Sequence, residues 1–178
     1  ISPSSFTECG RLGIPVLTSR LAVDRIKERW ALYEAGLEEG GHDAETRARL
    51  LAQSALWRNV YIADSNDQAR DELAALLLQT RNHMMHVRDA FNPDDFIIDP
   101  AALNAWADPA VSDDVAVNYV LETGSLFGSA SRVREQVAEL RDAGVQHLLC
   151  QTGFGDMSND HNLESMRRFG EGVMPSFA

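Results

Sequence analysis

Three serines crowd the first five residues: Ser2, Ser4 and Ser5, with Pro3 between them and an amphipathic run behind them. Hydroxyls at the start of a helix do one of two things. They cap its free N–H groups, or they join those groups and the helix dipole in holding a phosphate. Spacing alone leaves both open. Thr18 and Ser19 end the next apolar stretch and can line the same mouth. Gly128-Ser129 is a second turn of this kind, read first as a plain cap. After the apolar run that ends at Gln151, Phe154 stands between Gly153 and Gly155. Gln151 and Phe154 can border a small-molecule substrate; a plain loop permitted by its glycines is the other reading.

Other reactive side chains carry weaker signals. His83-x-x-His86 has helical i,i+3 spacing, but a metal needs a third ligand and no carboxylate motif supplies one, so both read as surface residues and no metal is expected. His147 falls in a strand pattern and reads as a core or interface residue, whereas His42 and His161 read as loop residues. Cys9 and Cys150 have no histidine near them in sequence and read as packing residues. Met84-Met85 reads as core. The pairs Glu38-Glu39 and Asp94-Asp95 read as solvated, and no constellation identifies a catalytic residue.

The elements that would position these residues follow from periodicity. Ser4 or Ser5 caps a helix ended by Gly13, and residues 14–18 form a short strand. Val23, Ile26, Trp30, Tyr33 and Leu37 recur every three or four positions, marking one helical face that stops at Gly40-Gly41. Asp43 caps a helix to about Gln53. Residues 56–63 are the clearest strand, and Ser65 or Asp64 caps the long helix after it, with Gln68 placed to complete a capping box. Residues 91–113, with Pro93, Pro100, Pro109 and Trp106, read as an excursion holding a short helix at 101–107. A helix stopped by Gly124, a strand at 125–127 and a helix from Val133 come next. Residues 145–151 form a nearly continuous apolar strand of the kind covered on both faces. Leu163, Met166, Phe169 and Val173 define the face of a last helix, stopped by Pro175.

Strand then helix, about four times over, predicts a parallel α/β sheet with right-handed crossovers. A (β/α)8 barrel needs eight such units. The expectation is therefore an open sheet or the C-terminal half of a TIM barrel. The chain starts at Ile1, not Met, which suggests a piece of a longer protein or a processed one.

Composition narrows the classes. The 178 residues are 44% hydrophobic and 24% charged, the balance of a globular domain. Net charge is −11, with one lysine against fifteen arginines and no basic stripe, which argues against nucleic acid. No long apolar run predicts a membrane span. Two distant cysteines and no leader fit a reduced, cytoplasmic protein.

Several patches then resemble one family in order and spacing. Residues 1–17 are similar to a mid-chain serine turn, helix and Gly-Leu-Pro strand. Arg58-Asn59-Val60-Tyr61-Ile62-Ala63-Asp64-Ser65 resembles the strand and cap R-x-V-Y-V-A-D-T, and Gly128-Ser129-Ala130-Ser131-x-Val133 resembles the turn G-S-P-E-x-V. The family is that of the bacterial luciferase-like flavin monooxygenases, TIM barrels of about twice this length. The resemblance implies reduced FMN, supplied by a flavin reductase, with O2 oxygenating a small organic substrate; in one branch F420 serves hydride transfer. It places the FMN phosphate at Ser2, Ser4 and Ser5, with Thr18 beside them. It puts most ring contacts and the catalytic residues in a missing N-terminal half, so the fragment alone is expected to be inactive. A homo-oligomer is expected, and a non-catalytic half-barrel module that associates with another copy or chain is the alternative.

Overall fold

A computed structural model describes residues 2–91 and 105–177. The expected excursion therefore lies largely outside the described residues, together with Asp94-Asp95 and most of its short helix.

Among the described residues, four strands are each followed by one or two of the helices, after a first helix. Helix α1 (Pro3–Leu12) leads to β1 (Leu17–Ser19), then α2 (Val23–Glu39) and α3 (Ala44–Gln53). Strand β2 (Ala55–Ile62) leads to α4 (Asn66–Phe91) and α5 (Asp113–Gly124). Strand β3 (Ser125–Gly128), α6 (Ala130–Asp142), β4 (His147–Gln151) and α7 (Asn159–Gly172) complete the order, with a 3-10 turn at Met174–Ser176.

The helix starts obey local chemistry. Ser2, and not Ser4 or Ser5 as expected, caps α1, because Pro3 occupies the first helical turn where a missing N–H costs nothing. Asp43 accepts from Thr46 N–H, Ser129 from Arg132 N–H and Ser158 from His161 N–H. Ser65 accepts the Gln68 N–H, but the Gln68 amide turns to Glu72 instead of closing a capping box. Gly13 takes a left-handed φ of 69° and returns its N–H to α1, ending it.

Strand β2 is the hub of an all-parallel sheet. It pairs with β1 along 55–57, with β3 along 59–62 and with β4 along 55–59. A barrel segment would set each strand beside its successor. The β1–β2 and β2–β3 pairs do so, whereas β4 joins β2. Beyond the end of β4, Ile62 N–H donates to Ser165 Oγ of α7 at 2.9 Å.

Alternation along β2 divides the core. Leu56, Val60 and Ile62 face a cluster with Phe6, Ile26, Trp30, Tyr33, Leu37, Val133 and Leu140. Tyr61 and Ala63 face a second cluster with Leu73 and Leu77 of α4, Val120 and Leu121 of α5, Trp106 and Phe154. Residues in register share a face, so Leu17, Ser19, Trp57, His147 and Leu149 lie on the Tyr61 side. There the cover is incomplete: Leu17 is 53% and Leu149 42% exposed.

Two expectations are corrected here. Strand β4 begins at His147, not at Val145, and is not covered on both faces; with β2 as its strand partner and its outer face open, His147 lies exposed instead of in the core. Of the last helical face, Phe169 and Val173 pack on the first core cluster as expected, but its first half does not. Leu163 and Met166 are exposed, and Ser165 turns inward because its hydroxyl meets the Ile62 N–H. His161 sits in the first turn of α7 instead of a loop.

Candidate active site at the carboxyl ends of the strands

Ligands of parallel α/β sheets bind outside the carboxyl ends of the strands. Three groups of side chains gather at these ends. The first surrounds the end of β2. Tyr61, 5% exposed, donates its hydroxyl to Glu72 Oε2 at 2.6 Å, and the Gln68 amide donates to Glu72 Oε1 at 3.0 Å. Helix α7 brings His161, Glu164 and Arg168 to the same place, around a cavity of about 170 Å³. Arg168 bridges Asp64 at 2.8 Å and Glu164 at 2.7 Å.

Electrostatics set the protonation states of this group. Burial, then the hydrogen bond and charge of Glu72, push the Tyr61 hydroxyl well up, so it remains a donor. Burial pushes the Glu72 carboxyl up, but the Tyr61 and Gln68 hydrogen bonds and the His161 and Arg168 charges outweigh it, holding Glu72 below its ordinary range. The Glu164 carboxyl, hydrogen-bonded by Arg167 and Arg168, falls to about 2. With its one proton given to Glu72, the phenol oxygen offers a ligand an acceptor, beside a fixed carboxylate.

The second group is the mouth of β1. Leu17, Thr18, Ser19, Arg20 and Trp57 line an open cavity of about 460 Å³. Thr18 is 6% exposed. Arg20 adopts φ 51°, uncommon outside glycine, and lies over the Trp106 ring at 5.5 Å.

The third group is the serine turn. Ser2 Oγ lies 3.0 Å from Ser4 Oγ and 2.9 Å from Ser5 Oγ. Ser2 and Ser4 are exposed, Ser5 half-buried, and the first turn of α1 carries no acid. No hydrogen bond joins this turn to Thr18 among the described residues. Of the expected substrate-border pair, Gln151 is half-buried and its amide folds back to Gly153 C=O at 3.1 Å. Phe154 is buried, edge-on to Tyr61 at 6.4 Å, and so belongs to the wall beneath the β2 end. Gly128-Ser129 forms a cap whose Ser129 N–H donates to Asn66 Oδ1 at 2.9 Å.

The remaining candidates sit as packing and surface residues. His83 and His86 are exposed, and no group of three His, Cys, Asp or Glu side chains that could hold a metal occurs among the described residues. Cys9 and Cys150 pack against the first core cluster. No helix among the described residues is long and apolar enough to cross a membrane.

The family model of the luciferase-like monooxygenases matches residues 1–147. The chain belongs to that family. No curated protein matches it. Among solved structures, this luciferase-like chain is similar to monooxygenase RslO1 from Streptomyces bottropensis, at 20% identity and a TM-score of 0.65, over 99% of this chain and 46% of that one. It is similar to the oxygenating constituent of 3,6-diketocamphane monooxygenase of Pseudomonas putida, solved with FMN, at 19% identity and a TM-score of 0.61, over 98% and 46%. It is also similar to coenzyme F420-dependent tetrahydromethanopterin reductase of Methanopyrus kandleri, at 17% identity and a TM-score of 0.62, over 99% and 49%. The luciferase-like chain thus spans about half the length of these structures, and the likeness shows the fold.

Sequence reasoning missed the Tyr61–Glu72–His161–Arg168 group. Tyr61 alternates with the apolar positions of β2, and it was read only as part of a family strand. Glu72 and Arg168 carry no motif and His161 reads as a loop residue, so only the fold brings them together.

Proposed function

We propose that this chain forms the C-terminal half of a TIM-barrel monooxygenase that uses reduced flavin, FMN in the first reading, to oxygenate a small organic substrate with O2. The observation that carries the reading is the serine turn. The Ser4 and Ser5 hydroxyls both lie within 3.0 Å of the Ser2 hydroxyl, at the start of a ten-residue helix with no acid in its first turn. That donor set fits a phosphate. Ser2, Ser4 and Ser5 would hold it, and Thr18 would line the mouth beyond.

The open sheet face supports the half-barrel part. Leu17, Trp57 and Leu149 leave apolar surface on the Tyr61 side, where strands supplied by a further segment would close a barrel. Bound flavin would supply the redox chemistry. This chain's own residues would exclude water with Phe154 and Trp57, and orient a polar group at the Tyr61 hydroxyl and the Glu72 carboxylate. Gln151, beside Phe154, would border the substrate. F420-dependent hydride transfer is the alternative within the family.

The same open face favours a second reading, a non-catalytic half-barrel that associates with another chain or copy. Size-exclusion chromatography with a flavin titration separates them. Stoichiometric FMN binding by this chain supports the first reading. An oligomer with no affinity for FMN or F420 supports the second reading and counts against the first for this chain by itself.

A further inference from the structure

Two arginines are buried among the described residues, and they are treated differently. Arg81, 4% exposed, meets the Asp113 carboxylate and three backbone carbonyls. Arg58, 3% exposed on β2, meets no carboxylate. Its Nη2 donates to Leu21 C=O at 2.7 Å and its Nη1 to Trp57 C=O at 3.1 Å. A guanidinium has five donors, so three are left over.

Arg58 also lines a cavity of about 290 Å³ between the sheet and α2, α5 and α6. One side of it is apolar, from Leu21, Val23, Leu121, Leu126 and Leu140, while Ser125 and Gln136 add polar groups. Every other charged group on this cavity is exposed at its edge: Glu122, Glu139 and Arg132, the last paired with Glu135. None of the three hydrogen-bonds Arg58. A buried cation without a counter-charge is costly, and the cost falls when an anion joins it.

We propose that this cavity is a binding site for a small organic carboxylate, with the carboxylate on the Arg58 guanidinium and the apolar body against the leucines. A planar guanidinium with spare donors suits a carboxylate in bidentate geometry. The apolar side selects an organic anion over a bare inorganic one. The volume fits a small ligand. None of Ser2, Ser4, Ser5 or Thr18 lines the cavity, so the site is separate from the flavin phosphate turn and stands without the flavin reading. In support, desolvation alone lowers the Arg58 guanidinium to about 10, with no neighbouring acid to offset it.

The test is calorimetric titration of the full chain with hexanoate, 1-hexanol and inorganic phosphate. Hexanoate is expected to bind saturably, at least about tenfold tighter than either other probe. Arg58→Met is expected to weaken hexanoate by at least about tenfold. Because loss of Arg58 risks the fold, a second variant works from outside. Val23 is 39% exposed on the rim, and Val23→Trp would block the cavity without touching the core, with the same loss of hexanoate. Absence of saturable hexanoate binding would overturn the site. So would hexanol or phosphate binding as tightly as hexanoate, or hexanoate affinity unchanged in Val23→Trp.

Discussion

The Tyr61 hydroxyl lies 2.6 Å from Glu72 Oε2, joining the buried hub strand to the second turn of α4. It is a hydrogen bond to a charged acceptor, short and stronger than a neutral one. It also fixes the phenol at the carboxyl end of β2, where the cavity with His161 and Arg168 opens.

Replacing Tyr61 by Phe removes this bond and leaves the ring packing on Phe154 in place. The expected destabilisation is about 1.5–3 kcal/mol, read by urea unfolding at neutral pH. The pH dependence has a definite sign. Glu72 is held below its ordinary 4.5 in the folded chain, so its contribution is present above that value and fades as pH falls through the folded one. Tyr61→Phe should therefore lose less stability than the wild type when both are acidified below about pH 4.5. Parallel acid limbs in the two proteins would contradict the pairing.

Ser165→Ala isolates the bond between α7 and β2. Ile62 N–H is buried and Ser165 Oγ is its acceptor, so the variant leaves an unpaired donor in the core. A loss of about 1–3 kcal/mol is expected, against the near-neutral change that a surface serine would give. Hydrogen exchange at the Ile62 amide should accelerate in the variant; unchanged protection there would contradict the assignment.

Gly10 and Gly36 set the closeness of α1 and α2. A Cβ on Gly36 would collide with the Thr7 carbonyl, and one on Gly10 with that of Tyr33. Both obstacles are backbone, which no side-chain rotation can relieve. Gly36→Ala should cost about 1–3 kcal/mol despite alanine's better helix propensity. A stabilised Gly36→Ala, measured by thermal unfolding, would show that the helices are not in contact as described.

Arg81→Met tests the anchor of residues 105–113. The guanidinium collects Trp106, Asp108 and Val111 carbonyls and the Asp113 carboxylate between α4 and α5. Its removal should cost about 3 kcal/mol and open this segment to proteolysis before the rest unfolds. Digestion at the wild-type rate would count against the anchor.

These residues also show what was legible from the sequence. The face of α2 and the strand at β2 followed from apolar spacing, and Asp43, Ser129 and Gly13 followed from capping chemistry. The serine turn was readable as a cap, with the capping residue displaced by Pro3. Strand β4 was misread because a continuous apolar run looks the same whether one face or both are covered; only the pairing with β2 decides. In α7, Leu163 and Met166 had helical spacing and Ser165 did not, yet one hydrogen bond to Ile62 outweighs that pattern. Nothing in the sequence marks Arg81 or Arg58 as buried, because the Trp106, Asp108 and Val111 carbonyls that hold the first and the Leu21 carbonyl that holds the second are distant in sequence. The Tyr61–Glu72 pair needed the crossover from β2 to α4 before its two members could meet.

The most direct measurement of the central claim is the ratio of FMN to riboflavin affinity, by fluorescence titration of this chain and of its Ser2→Ala, Ser4→Ala, Ser5→Ala triple variant. The two ligands differ by the phosphate. The account predicts FMN at least about tenfold tighter than riboflavin in the wild type, and a ratio near one in the triple variant. Equal affinities in the wild type, or a ratio that survives loss of the three hydroxyls, would contradict a flavin phosphate at the start of α1.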